Sequence, residues 1–449
     1  MAVVEEEGVM KTRKLDCRGW LPGFVTALVL CAGLVCAQEK PQPTSLERQL
    51  NIDSFEYLWK TIHENHFDPT FGGVDWKAAR LEFLPQIEAA RDKKEARTVM
   101  RQMLSRLKLT HFSIIPSELY EDMNKTGGKS SGSGVTGINV RVVGGHALVI
   151  SVDPGSSAEE AGVKPGWEIT EIGKEELPAR LTAIAKEFEG KTLQELVLSD
   201  AVAGRLEGNI GESVMVSFLD GNNKTVQHSL RLAETRGTKF QIGNLPAGHV
   251  WIDTRSIGSD IGYIAFNAFI APPILMPPFN EAMKSFMGAA GIIIDVRGNT
   301  GGQGDIVTGM AGWLIGEKGK YFGTIQLRDN TLKLIVRPRP EVYAGPVAIL
   351  VDGLSLCATE IFAGGLRDLG RARIFGSHTG GVALGGAVER LPNGDRFMYA
   401  FANYVTAGGH VLEGNGLAPD VEVNHTREAL LQGRDLVLEA AVNWIRKQH

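Results

Sequence analysis

The chain has 449 residues, 43% of them hydrophobic and 22% charged, with a formal net charge of -5. That length suffices for two or three domains at roughly 150 residues each, and the composition excludes fibrous or disordered material. A charge so near neutrality excludes the basic footprint of a nucleic-acid binder and a polybasic membrane patch.

Lys11, Arg13 and Lys14 precede an apolar run over residues 21–35, followed by Val35-Cys36-Ala37. A basic flank, a short apolar run and a small-residue exit read as a secretory signal over residues 1–37, too short for a spanning helix. Met10 is the more natural start, because residues 1–9 are acidic. A lipid anchor on Cys36 is the alternative, although Val35 is larger than such processing favours. Cleavage removes Cys17, Cys31 and Cys36 and leaves Cys357 alone. The expected product is periplasmic or extracellular, with no disulfide and no stable membrane span.

Residues 45–125 read as a helical domain, with Phe55, Leu58, Trp59 and Ile62 on one stripe and Val99, Met103 and Leu107 on another. The alternation from Leu109 to Ile115 predicts a strand containing Thr110 and His111, and the Gly/Ser-rich stretch from Thr126 to Gly134 predicts a linker. Short strands with turns then fill residues 132–235: Gly137-Ile138-Asn139-Val140, Ala147 to Val152, Ser156 to Val163, and Gly166-Trp167-Glu168-Ile169. Together these resemble a PDZ domain of the bacterial protease type, although Trp167 stands where that family usually has an acidic residue. The resemblance implies that Gly137, Ile138, Asn139 and Val140 bind a peptide end through backbone N–H groups and a strand edge.

Residues 236–449 alternate strands with helices. Strands are expected at 263–266, 291–296 and 347–351, and helices near 277–288, 304–316 and 358–369. Continuous apolar strands between helices predict a mainly parallel α/β sheet, with ligands bound outside its carboxyl ends. One such end runs into Arg297-Gly298-Asn299-Thr300-Gly301-Gly302, a turn able to aim amides at one point. Another delivers Cys357 to the start of a helix, where orphan N–H groups are expected to lower its pKa.

These motifs, followed by Glu360-Ile361-Phe362-Ala363, Gly376-Ser377-His378-Thr379-Gly380-Gly381 and Gly414-Asn415-Gly416-Leu417-Ala418-Pro419-Asp420, resemble the carboxy-terminal processing (tail-specific) proteases and the related tricorn core protease. The likeness runs from about residue 50 to the end and includes Asp75-Trp76. It implies a ClpP/crotonase-like α/β peptidase domain with an N-terminal helical domain and an inserted PDZ-like β domain, and polypeptides with unstructured or C-terminal segments as substrate. No cofactor or metal is expected, and oligomeric state is not legible.

Two departures bear on mechanism. The family nucleophile is serine, where this chain has Cys357. The lysine base of the tail-specific branch is replaced by Val382, and no lysine lies between Cys357 and Lys447. The tricorn-like pattern implies Cys357 as nucleophile, His111 as base and then acid, and Glu413 orienting the imidazole directly or through Thr110. Gly301, Gly302 and Ala358 are the expected oxyanion donors. His378 is a substitute base, and Glu360 is expected to brace its helix. The rival reading is a catalytically silent PDZ-bearing peptide-binding protein on a protease scaffold; an apolar-ligand carrier is a weaker one.

Overall fold

The computed structural model describes residues 44–118 and 133–448. The expected signal segment and residues 126–132 of the expected linker lie outside them.

Helices α1 (Ser45–Asn65), α2 (Trp76–Glu88) and α3 (Lys93–Ser105) begin on side-chain caps from Thr44, Asp75 and Asp92, each accepting a backbone N–H of the first turn. Phe55, Leu58 and Ile62 are fully buried, contributing about 1.5–3 kcal/mol each. They share a core with Ile114 of β1 (Ser113–Ile115) and with Phe397 and Tyr399 farther along the chain. The strand expected from residue 109 starts only at Ser113, because Lys108 and His111 adopt φ values of 52° and 61°. Thr110 and His111 therefore sit in a turn, contrary to the alternation in sequence.

Residues 138–231 form an antiparallel sheet of β2 (Ile138–Val143), β3 (His146–Val152), β4 (Glu168–Ile172), β5 (Ser213–Leu219) and β6 (Thr225–Arg231), in that spatial order. Helices α4 (Leu177–Glu187) and α5 (Gln194–Ala203) pack with it around a core that includes Val149, Val202 and Phe218.

The third part is built on a six-stranded sheet. Its order is β7 (Ile252–Ile257), β8 (Ile261–Phe266), β9 (Gly291–Asp295), β12 (Val347–Val351), β13 (Arg373–Gly376) and β16 (Val421–Glu422). Only the β7–β8 pair is antiparallel. All residues of β8, β9 and β12 are buried, as continuous apolar strands covered on both faces require. Helices α6 (Pro272–Ser285), α7 (Gly304–Ala311), α8 (Ala358–Asp368) and α9 (Leu436–Arg446) accompany it. Helix α6 starts earlier than expected because Pro272 and Pro273 occupy its first turn, where a missing N–H is harmless. Helix α7 ends earlier than expected. Its C-cap is Gly312, where a Cβ would stand 2.0 Å from the Arg337 carbonyl oxygen.

A second sheet carries β10 (Tyr321–Leu327), β11 (Thr331–Ile335), β14 (Gly385–Arg390) and β15 (Arg396–Thr406), with β1 joined to β15. Buried Asp395, in the β14–β15 turn, accepts two bonds from Arg97 of α3 at 2.8 and 2.9 Å. The N-terminal helices are thereby fixed to the sheet beside which the 110–111 turn lies. Among the described residues no helix is long and apolar enough to cross a membrane.

Candidate active site

Buried strands β9 and β12 lie side by side and parallel, so their carboxyl ends open together. Asp352, just past β12, accepts the Gly298 N–H at 2.8 Å and the Leu354 N–H at 3.0 Å, and Ser355 donates to the Val296 carbonyl at 2.8 Å. Buried Asn299 completes the lock. It donates to the Phe266 carbonyl, accepts from Gly301 N and Thr359 Oγ1, and its carbonyl takes the Leu356 N–H.

Cys357 emerges from this interlock as the N-cap of α8 at φ 52°, ψ -116°, half-buried. A non-glycine residue at positive φ is held there by its surroundings. Here the lock is Glu360, fully buried one turn along. Its carboxylate accepts the Cys357 N–H at 2.9 Å, Thr379 Oγ1 at 2.6 Å, Gly381 N–H at 2.9 Å and Val382 N–H at 3.1 Å. One carboxylate thus ties the Cys357 backbone to the glycine-rich turn. The sequence suggested only a helix brace.

The N–H groups of Gly302 and Ala358 lie near the sulfur and favour its thiolate form. Gly301 is different. Its N–H donates to Asn299 Oδ1 at 2.9 Å, so it supports the turn and is not a free oxyanion donor. It must still be glycine, since a Cβ would lie 2.6 Å from the Leu356 carbonyl oxygen and 2.8 Å from the Ala358 nitrogen.

The thiol is less acidic than expected. Burial pushes the Cys357 pKa up to about 11, with the charges of Glu360 and Glu413 acting the same way, and the two amides offset only part of this. The helix N-terminus does not win here.

Thr110 donates its N–H to Glu413 Oε1 at 2.9 Å and its hydroxyl to Glu413 Oε2 at 3.0 Å, and the same hydroxyl lies 2.9 Å from His111 Nδ1. Because that hydroxyl proton is directed to the carboxylate, Nδ1 must be the N–H donor and Nε2 the free acceptor. Burial holds the imidazole pKa down at about 4. Glu413 also accepts the Ala383 N–H at 3.0 Å, and burial raises its own pKa.

Thiol and imidazole meet the same short segment. The sulfur donates to the Leu384 carbonyl at 3.8 Å, while two residues on a Cβ at Gly386 would stand 3.0 Å from His111 Cδ2. Among the described residues no hydrogen bond joins the sulfur to the ring. His378 bonds the Thr379 carbonyl at 3.0 Å and lies against Gly416, and among the described residues no hydrogen bond connects it to the thiol, whose partner is the Leu384 carbonyl. Val382 supplies only its N–H, to Glu360.

The expected peptide-binding stretch begins at Gly137, φ 82°, and continues into β2, an edge strand of its sheet beside α5. Arg141 of β2 pairs with Asp352 at 2.7 Å, and Glu195 of α5 accepts from Ser377 Oγ at 3.1 Å. Sequence reading missed both contacts.

With this geometry in view, comparison with known proteins gives a consistent result. A family model described as Peptidase family S41 matches residues 260–423. The chain carries an S41 peptidase domain. A second model, the Tricorn protease C1 domain, matches residues 53–105, within the helical part. The S41 domain holds Cys357, Glu360, Glu413 and the 297–302 turn; His111 lies outside both matched stretches. Carboxyl-terminal-processing peptidase 3, chloroplastic, of Arabidopsis thaliana is 26% identical over 375 residues, spanning 81% of this chain and 67% of its own. The carboxyl-terminal-processing protease of Picosynechococcus sp. is 28% identical over 367 residues, spanning 81% of this chain and 80% of its own. Among solved structures, the photosystem II D1 C-terminal processing protease is similar with a TM-score of 0.55 at 21% identity, covering 85% of this chain and 94% of that one. Mature CPAF gives 0.58 at 12% identity, covering 90% and 97%. At these identities the structural likeness speaks for the mixed α/β fold alone.

Proposed function

We propose that this chain is an exported endopeptidase that hydrolyses polypeptides through an acyl-enzyme on Cys357. The organisation we propose is a signal segment at 1–37, a helical domain at 45–125, a PDZ-like domain at 132–235 and a ClpP/crotonase-like peptidase domain at 236–449. The observation that carries the reading is the relay Glu413–Thr110–His111, which ends on the same 384–386 segment that receives the thiol.

In the proposed reaction the sulfur attacks the scissile carbonyl carbon as its proton passes to His111 Nε2. The oxyanion forms against the Gly302 and Ala358 N–H groups. Collapse breaks the C–N bond, and His111 returns the proton to the leaving amine. Water, activated by the same imidazole, then hydrolyses the thioester. With the thiol near 11 and the imidazole near 4, a preformed thiolate–imidazolium pair is disfavoured. Proton transfer accompanies attack, as for a serine hydroxyl. Gly137, Ile138, Asn139 and Val140, at the head of an open strand edge, support capture of a polypeptide end by the PDZ-like part.

A silent peptide-binding protein is the second reading, and one observation favours it: the thiol bonds the Leu384 carbonyl and no hydrogen bond ties it to the ring. Cys357→Ala decides between them. Against unfolded polypeptide the wild type should cleave, and the variant should bind with unchanged Kd while turnover drops at least a thousandfold, on the order expected for removal of a nucleophile. Absence of cleavage by the wild type, or full turnover in the variant, removes Cys357 from the chemistry.

A further inference from the structure

His66 is a titratable side chain with no part in the chemistry proposed above, yet it is fully buried, at the C-cap of α1. Its Nδ1 lies 2.8 Å from the Asp68 carbonyl oxygen and 3.1 Å from the Asp68 nitrogen, so either tautomer finds a partner there. Nε2 is buried and, among the described residues, has none. A phenylalanine would fill that space without stranding a polar atom, and burial already holds the imidazole pKa below its ordinary value. An unsatisfied buried group kept at such a place calls for a reason.

The reason lies in what the ring touches. Phe112 lies almost parallel to it, with 5.9 Å between centroids and 13° between planes. Phe112 directly follows His111, which stands at φ 61°. A left-handed backbone at a non-glycine residue persists only where its surroundings over-determine it. On one side Glu413 does this by taking the Thr110 N–H and hydroxyl. On the other side stands the stack of Phe112 on His66. His66 is itself held from several directions. Phe67 stacks on it at 4.6 Å, Phe71 packs at 5.4 Å, and its carbonyl takes Arg328 Nη1 at 3.1 Å from the turn between β10 and β11. Asp68 is fixed in turn, because its carboxylate accepts the N–H groups of Thr70 and Gly72.

We propose that His66 is a positioning residue for the base: its ring, anchored to Asp68 and stacked on Phe112, holds the 110–112 turn and with it the His111 ring in its place against Gly386. This deepens the peptidase reading above and rests on it for the role of His111. Imidazole suits the task because it offers both an in-plane anchor and two flat faces. A leucine has neither, and a phenylalanine has only the faces. The clamp on His111 then has two jaws, Glu413 in the S41 domain and His66 in the helical part.

The test compares His66→Asn, which loses the ring, with His66→Phe, which keeps it, in the full chain. His66→Asn should lower kcat about tenfold with KM unchanged, and His66→Phe should recover most of that loss. The second readout is the titration of His111 itself, followed by its imidazole NMR signals and assigned with His111→Gln. It should fall near 4 in the wild type and about one unit higher in His66→Asn, because a loosened turn admits water to the ring, while His66→Phe stays near the wild type. The groups around the two rings, namely Thr110, Glu413 and Cys357 on one side and Asp68 and Arg328 on the other, keep their charges in both variants. Phe112→Leu removes the other half of the stack and should shift kcat and the titration as His66→Asn does, so the contact is read even where His66→Asn fails to fold. An unshifted His111 titration in Phe112→Leu, or a loss of kcat as large in His66→Phe as in His66→Asn, overturns the proposal. If the wild type cleaves nothing yet the titration moves as expected, the clamp stands and the peptidase reading falls.

Discussion

At Cys357 the fold works against the chemistry usually associated with sulfur. Its place in the fold was legible: a thiol just after an unbroken apolar run, at a helix start, is where the sequence puts it and where the fold has it, and that place is the reason for expecting a nucleophile. Its acidity was not legible. Two carboxylates, three and 56 positions along, come close to it only on folding. The consequence is measurable. Alkylation of Cys357 by iodoacetamide should climb about tenfold per pH unit from pH 7 to 10, following the thiolate fraction, with no plateau near neutrality. Glu360→Gln separates charge from position. Loss of the negative charge should lower the thiol pKa and speed alkylation several-fold at pH 9. The amide NH2, set against groups that are themselves donors, should misplace the Cys357 and Gly381 backbones and cut peptide turnover at least about tenfold. Parallel changes in both rates would leave Glu360 with a bracing role alone.

Between elements, the decisive feature is how closely the 296–302 turn and the start of α8 approach. Gly301 carries φ 92° and meets the backbone of residues 356–358 within 3 Å of where a Cβ would be. Gly301→Ala should therefore cost about 3 kcal/mol in denaturant unfolding, from overpacking and the left-handed backbone together, and should abolish turnover. An unchanged midpoint would mean the two turns part easily. The sequence made the parallel strands at this junction plain, since 291–295 and 347–351 are unbroken apolar runs. It also made the glycine-rich turn plain. It misassigned 109–112 as strand, because alternation cannot register the positive φ at Lys108 and His111, which tertiary packing imposes. It likewise counted Gly301 among the donors, because no pattern in the chain says that Asn299 takes that N–H.

At the scale of the whole molecule, the residues around the 352–357 and 376–382 loops come from parts of the chain far apart in sequence, which is why sequence reading left the junction unmarked. Glu195, in the first turn of α5, presses its carboxyl against Gly353, where a Cβ would stand 2.6 Å away, and takes a bond from Ser377. Asp352 lies nearby, its own charge held by Arg141. Burial first, then repulsion from Asp352, pushes Glu195 up to about 7 from an ordinary glutamate's 4.5. A folded-state pKa above the unfolded one means that the native form holds the proton more tightly. Its stabilising effect is complete below pH 4.5 and is lost as pH rises through 7. The corresponding stabilisation, reduced by partial exposure of the side chain, is on the order of 2 kcal/mol. Glu195→Gln, uncharged at every pH, should escape that loss. Its stability relative to wild type in denaturant titrations should therefore increase by about 2 kcal/mol between pH 5 and pH 8. A constant difference across that range would place the Glu195 carboxyl in water and the two parts of the molecule less tightly joined than their contacts require.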